Sequence, residues 1–260
     1  MQTRIFSKPH GVDLQQELQR LACLEAVCSE TGLAITAPVL GVDADRREIH
    51  YVHLDGLEPL TLAAGQDGRC FHALGELLAG MHRSRPLVVT ACERDLDWEK
   101  SQLELAGIGA DLVVRVLDEF PAGFAHGDLW HGNVLRREGA WVILDPIPSG
   151  VILQGVTIHA SGIFDLAYIH MSLFACRQLR DFFADAGAAT NRYGQALLEG
   201  YLGCSDSGWA LPAVLQLSQA LALQWRDAYS RRLAMPVALL KQRMFERNFR
   251  AYYMGNYEAS

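Results

Sequence analysis

The sequence predicts an α+β fold with segregated elements: a small strand-rich first lobe followed by a large helical second lobe. Three observations carry this. β-rich runs crowd the first quarter of the chain, helical periodicity dominates after it, and a single short hairpin interrupts the helices near the middle. The lobes divide where the last early β-rich run ends, giving a reduced N-terminal β-lobe with one helix at residues 1–56 and a helical C-terminal lobe at residues 57–260.

In chain order, residues 3–8 read as a strand that Pro9 and Gly11 terminate. Residues 14–27 carry apolar side chains at helical spacing, with Asp13 placed to cap them. Residues 35–42 and 48–54 are β-rich and flank the charged turn Asp43-Ala44-Asp45-Arg46-Arg47, which makes them an antiparallel pair. After a loop over 55–60, a long helix runs through Ala73, Leu74, Leu77, Leu78 and Met81 and stops near His82. Val134-Leu135 and Trp141-Val142-Ile143-Leu144 flank Arg136-Arg137-Glu138-Gly139 as the hairpin. Beyond Ile163, four helical stretches are expected at 163–186, 190–203, 210–230 and 236–254, divided by Gly, Ser, Asp and Pro.

The composition narrows the function. With 260 residues, half of them hydrophobic, the chain can bury a substantial core. A formal charge of -7 provides no cationic surface for displacing the counterions of a polyanion, so nucleic acid is not an expected partner. The six cysteines form no C-x-x-C pair and read as free thiols of a reducing compartment. The sequence carries neither a basic-then-apolar leader nor a continuous apolar run of about 18 residues, so a cytoplasmic protein without a membrane span is expected.

The chemistry concentrates in one segment. Ala125-His126-Gly127-Asp128-Leu129-Trp130-His131-Gly132-Asn133 is a tight loop whose glycines permit sharp turns, and Asp145 ends the apolar strand that follows. Phosphoryl transfer needs a carboxylate to orient and deprotonate the acceptor hydroxyl, together with separate oxygen ligands that hold magnesium on the nucleotide phosphates. An aspartate, an asparagine five residues on and a second aspartate after a hairpin supply those groups, at the spacing of the protein-kinase catalytic loop. His126 stands at that loop's histidine and Gly127 at its arginine.

His-Gly-Asp-Leu-Trp-x-Gly-Asn followed by Leu-Asp-Pro resembles the aminoglycoside phosphotransferase and fructosamine kinase superfamily, and is closest in motif to the fructosamine kinases. The resemblance implies a protein-kinase-like two-lobed fold and an ATP- and magnesium-dependent transfer to a small-molecule hydroxyl. It implies Asp128 as catalytic base, Asn133 and Asp145 as magnesium ligands, and His126 and Asp165 as supports of the catalytic loop. Pro146 after Asp145, in place of Phe-Gly, is the pattern of the small-molecule families. Outside this centre, residues 74–82 resemble the family's L-G-x-x-L-A-x-L-H helix. Residues 51–60 resemble the strand and hinge that receive adenine, with Asp55 and Leu57 at the hinge. Lys8 then corresponds to the phosphate-contacting lysine and Glu17 to its partner on the first helix.

Two departures accompany the resemblance. Only seven residues precede Lys8, and no G-x-G-x-x-G or G-x-x-x-x-G-K-[ST] occurs elsewhere, so the hairpin that covers the phosphates is expected to be missing. The segment between Asp145 and Asp165 is longer than the family implies and is expected to face the acceptor as a specificity loop. A catalytically impaired pseudokinase is the alternative suggested by the missing hairpin. A metallophosphohydrolase is a further rival, because His126, Asp128 and His131 are metal-ligand types, but its Gly-Asp and Gly-Asn pairs are normally separated by a long stretch and here share one loop. Residues from Asp165 onward carry eight acidic against ten basic side chains, which favours a sugar, a ketoamine or another uncharged or anionic acceptor over a polycationic aminoglycoside.

Overall fold

The computed structural model describes residues 3–7, 13–60, 68–146, 153–175 and 186–230. The expected N-terminal elements form. β1 (Thr3–Ser7) leads to α1 (Leu14–Thr31), and β3 (Val39–Asp43) and β4 (Glu48–Val52) pair across the charged turn to give an antiparallel sheet of order β1-β4-β3. The Asp13 carboxylate caps α1, accepting from the backbone N–H groups of Gln15 at 2.9 Å and Gln16 at 3.3 Å. Gly32, in the left-handed region at φ 63°, ends the helix by donating to Cys28 O. The buried face of α1 comprises Leu21, Leu24, Val27 and Cys28, and it also carries Glu17 and Arg20.

The run 35–42 is broken in two. β2 (Ala34–Ile35) leaves the N-terminal sheet and pairs in parallel with β8 (Ala140–Ile143), which itself pairs with β7 (Val134–Arg137), while β5 (Glu58–Pro59) adds to the far edge in the order β2-β8-β7-β5. Pro38 lies at the break: it has no N–H for a ladder, and its carbonyl accepts from Val52 N at 2.9 Å. The hairpin turn is shorter than expected. Glu138 and Gly139 both take positive φ (51° and 87°), the type I′ geometry that matches strand twist, so the ladder extends through Arg136 and Arg137.

The C-terminal lobe is built from α2 (Gly68–Arg83), α3 (Leu87–Thr90), α4 (Leu96–Leu105), α5 (Ala110–Glu119), α6 (Ile163–Ala175), α7 (Ala186–Cys204) and α8 (Leu211–Ser230). The first three helical stretches expected beyond Ile163 correspond to α6, α7 and α8. Residues 176–185 and the expected helix at 236–254 lie outside the described residues. A two-stranded sheet that periodicity did not suggest, β6 (Ala122–Phe124) against β9 (His159–Ser161), sits beside the catalytic loop. No helix among the described residues is long and apolar enough to cross a membrane.

α2 and α7 pack closely enough to exclude side chains at the crossing. A Cβ on Gly75 would overlap the Leu197 carbonyl oxygen and stand 2.6 Å from Tyr201 N, and beside this crossing the Phe71 and Tyr193 rings stack at 4.4 Å. Gly75→Ala is therefore expected to destabilise the protein by about 1–3 kcal/mol. A Cβ on Gly203 near the end of α7 would meet nothing within 4 Å, so Gly203→Ala should be neutral or stabilising by up to about 1 kcal/mol. Thermal unfolding of the two variants checks the contrast.

Candidate active site

The 125–133 loop is fixed from below by one buried carboxylate. Asp165, 1 % exposed in the first turn of α6, accepts the backbone N–H of His126 at 2.6 Å and that of Gly127 at 2.9 Å. Gly127 has φ 77°, which turns consecutive N–H groups toward the same anion. The sheet β6–β9 brings the two segments together, with Ala125 N donating to Ile158 O and Gly162 N to Pro121 O, each at 2.8 Å. A third donor comes from α2. His82 Nε2 stands 3.4 Å from Asp165 Oδ2, and its Nδ1 is 2.8 Å from the Tyr201 hydroxyl. The assignment that satisfies both contacts has Tyr201 O–H donating to Nδ1 and Nε2–H donating to the carboxylate. A Cβ on Gly162 would collide with the His82 ring and stand 2.6 Å from the Tyr201 oxygen, so that position makes room for the pair. Burial alone would raise the Asp165 pKa; the hydrogen bond from His82, the neighbouring His82 and His126 rings and the Gly127 N–H outweigh it and hold the group below its ordinary value.

His126 connects this base to the strand that leads to Asp145. Its Nε2 is 2.9 Å from Leu144 O and its Nδ1 accepts Asp128 N–H at 3.3 Å, so the ring is a neutral Nε2–H tautomer. Burial, the largest influence, lowers its pKa and keeps it neutral. Both ring nitrogens are occupied, which leaves no lone pair for a metal and removes one of the three ligand types, with Asp128 and His131, that suggested a metallophosphohydrolase. Leu144 N donates to Asn133 O at 3.0 Å, and Asn133 Nδ2 donates to Asp128 O at 2.8 Å. The five-residue spacing of Asp128 and Asn133 is thus what closes the loop, while Asn133 O and His126 together hold the residue before Asp145. Asp145 has φ 57°, uncommon for a residue with a Cβ, and its side chain lies at the surface of a cleft.

That cleft, about 310 Å³, opens between the N-terminal sheet and the catalytic lobe, and its lining includes Arg4, Tyr51, Leu57, Asn133, Leu144 and Asp145. Asn133 and Asp145 therefore share one wall. Leu57 lines the cleft; Asp55 does not, its exposed carboxylate lying 3.1 Å from His53 Nε2. Glu17 is buried on α1, and its charge, after burial and the charge of Asp145, raises the pKa of the Tyr51 phenol. Lys8 lies outside the described residues. In the described part of the segment expected to form a specificity loop, Leu153, Val156 and Ile158 are buried, and Trp98 Nε1 donates to Gln154 O at 2.9 Å.

Three contributors escaped sequence reasoning. Arg4 lines the cleft from β1, where it pairs across the ladder with Tyr51. Arg20, buried on α1, donates to Ala125 O at 3.0 Å and to Val156 O, tying the first helix to the start of the catalytic loop. The available signal was an arginine on the apolar face of a helix. Tyr168, on α6, donates its hydroxyl to Asp128 Oδ1 at 2.9 Å.

Asp128 itself is pushed up to about 7, mainly by burial and secondarily by the charge of Asp145, against the lowering effect of its hydrogen bonds with Tyr168 and Asn133. A carboxylate poised there suits a general base at neutral pH.

No protein-family model and no curated protein matches the sequence. Solved structures do. A choline kinase from Cryptosporidium parvum is 13% identical and superposes with a TM-score of 0.54, covering 98% of this chain and 81% of its own. A choline/ethanolamine kinase family protein from Mesorhizobium loti is 15% identical with a TM-score of 0.52, covering 97% and 86%. A glucosamine kinase in complex with glucosamine, ADP and inorganic phosphate is 17% identical with a TM-score of 0.50, covering 93% and 71%. The chain has the α+β, protein-kinase-like fold shared by small-molecule kinases, with a mostly helical C-terminal part.

A raised Asp128 pKa makes a signed prediction for the metal- and nucleotide-free protein. Folding favours the protonated form, so its stabilising contribution is complete below the ordinary carboxylate range and is lost as pH rises through about 7. Asp128→Asn cannot ionise. It should match the parent near pH 4 and exceed it at pH 8, by on the order of 2–4 kcal/mol. Denaturant unfolding at the two pH values checks this, and a constant difference would contradict it.

Proposed function

We propose that the protein is a magnesium-dependent phosphotransferase that moves the terminal phosphoryl group of ATP to a hydroxyl of a small molecule. The observation that carries this reading is the placement of Asn133 and Asp145 on one wall of the interlobe cleft, with Asp128 held beside them by the Asn133 amide, which donates to its main-chain oxygen. An amide oxygen and a carboxylate are hard donors. Among the described residues no cluster of three or more His, Cys, Asp or Glu could enclose an ion, and two protein oxygens suit magnesium, which keeps its waters and substrate phosphates as its other ligands. When bound, the ion neutralises charge on the transferring phosphates.

In this reading Asn133 and Asp145 hold the ion, and Asp128 orients the acceptor hydroxyl in line and takes its proton. His126 and Asp165 keep the loop in register. Glu17 and Lys8 orient the phosphates from the N-terminal lobe, joined by Arg4, which the β1–β4 register places in the cleft. The backbone around Asp55 and Leu57 receives the base. Most of the catalysis is then positioning and charge neutralisation. The acceptors named for the structural neighbours, choline and glucosamine, are hydroxyl compounds bearing one cationic nitrogen, and they define the first panel to screen with sugars and ketoamines.

Calorimetric titration tests the site. Mg-ATP should bind the intact protein, and Asp145→Ala should weaken that binding by at least about tenfold, equivalent to about 1.4 kcal/mol. His131→Ala should change it by less than about twofold, well under that figure. Equal losses from both, or binding indifferent to magnesium, would contradict the assignment. Tight Mg-ATP binding without transfer to any acceptor would favour a binding module.

A further inference from the structure

One face of α6 reads the catalytic loop like a ruler. Asp165, Tyr168 and Ser172 stand at i, i+3 and i+7, the spacing that aligns side chains on one side of a helix. Each meets a successive point of the loop. Asp165 takes the N–H groups of His126 and Gly127, Tyr168 O–H reaches Asp128 Oδ1 at 2.9 Å, and Ser172 Oγ accepts His131 N–H at 3.0 Å. The first and third contacts fix main chain, whereas the second fixes a side chain, the Asp128 carboxylate. Tyr168 is 7% exposed and Ser172 is fully buried, so this face stands in the lobe interior.

On the phosphotransferase reading, we infer that Tyr168 is the positioning residue of the catalytic base: its hydroxyl occupies Oδ1 of Asp128, so that Oδ2 is the atom that receives the acceptor proton. A carboxylate on a free χ2 presents either oxygen and rotates broadly. A 2.9 Å donor on one oxygen removes that freedom and fixes the direction of the other. As the acceptor oxygen bonds to the γ-phosphorus, the bond to the β–γ bridging oxygen breaks, the acceptor proton passes to Oδ2, and ADP leaves with the bridging electrons. Tyr168 keeps its own proton throughout. It acts only through Asp128.

That dependence makes the role separable from structural support. The full chain is assayed for ADP release from Mg-ATP with water as acceptor, and calorimetry gives the Kd for Mg-ATP. Tyr168→Phe deletes one hydroxyl and keeps the ring. It should lower kcat by about tenfold or more, within the range that general-base orientation supplies, and leave the Kd within about twofold. In an Asp128→Asn background the same change should add less than about twofold, because the group it positions is gone. An unchanged kcat in the Asp128 protein, or the same fractional loss in both backgrounds, overturns the role of Tyr168 alone. If the unsubstituted protein binds no Mg-ATP, the phosphotransferase reading falls and the assignment of Tyr168 falls with it.

Discussion

A single buried anion organises this molecule. Placing the Asp165 carboxylate in the lobe interior would be costly in isolation, and it persists because two main-chain N–H groups and His82 satisfy it together. The donors come from two distant parts of the chain: His126 and Gly127 from the 125–133 loop and His82 from the end of α2, with Tyr201 of α7 behind the imidazole. Satisfying the anion therefore forces α2, α6, α7 and the loop into one arrangement. Gly162 and Gly75 are small where that arrangement brings chains into contact.

From the anion outward, the geometry passes along hydrogen bonds to Asp128 and Asp145. Gly127 turns the chain, His126 holds Leu144 O, and Asn133 holds both Asp128 O and Leu144 N, so the positions of Asp128 and Asp145 follow from a closed circuit of main-chain contacts. Arg20 extends the circuit to α1, and β2 crosses to β8, so the N-terminal part is tied to the rest of the structure at two points. A cleft bounded on both sides by such contacts is preorganised for a ligand that must be held in one pose.

The sequence was most informative where spacing is imposed by local closure. Asp128 and Asn133 are five apart because the amide of one must reach the carbonyl of the other, and Asp145 follows a hairpin whose turn has Gly139 at one of its two positive-φ positions. Helices with an apolar stripe, such as α1 and α2, were equally legible. Strands of three residues were not, since β6 and β9 are too short to show alternation, and Pro38 divided a run that β-propensity joined. Tyr168 and Tyr201 are invisible for another reason, and Arg20 shows only as an arginine on an apolar helix face: each contributes through a partner 40 to 136 residues distant, and an isolated sequence carries no record of those encounters.

The most direct test of the account is a ³¹P NMR time course of Mg-ATP with the purified protein and each member of a panel containing glucosamine, choline, neutral sugars and ketoamines. The account predicts that, with one acceptor class, the γ-phosphate signal is replaced by ADP and a new phosphate monoester, and that Asp128→Asn abolishes the new signal. ADP and inorganic phosphate alone across the whole panel, or ester formation undiminished in Asp128→Asn, would contradict it.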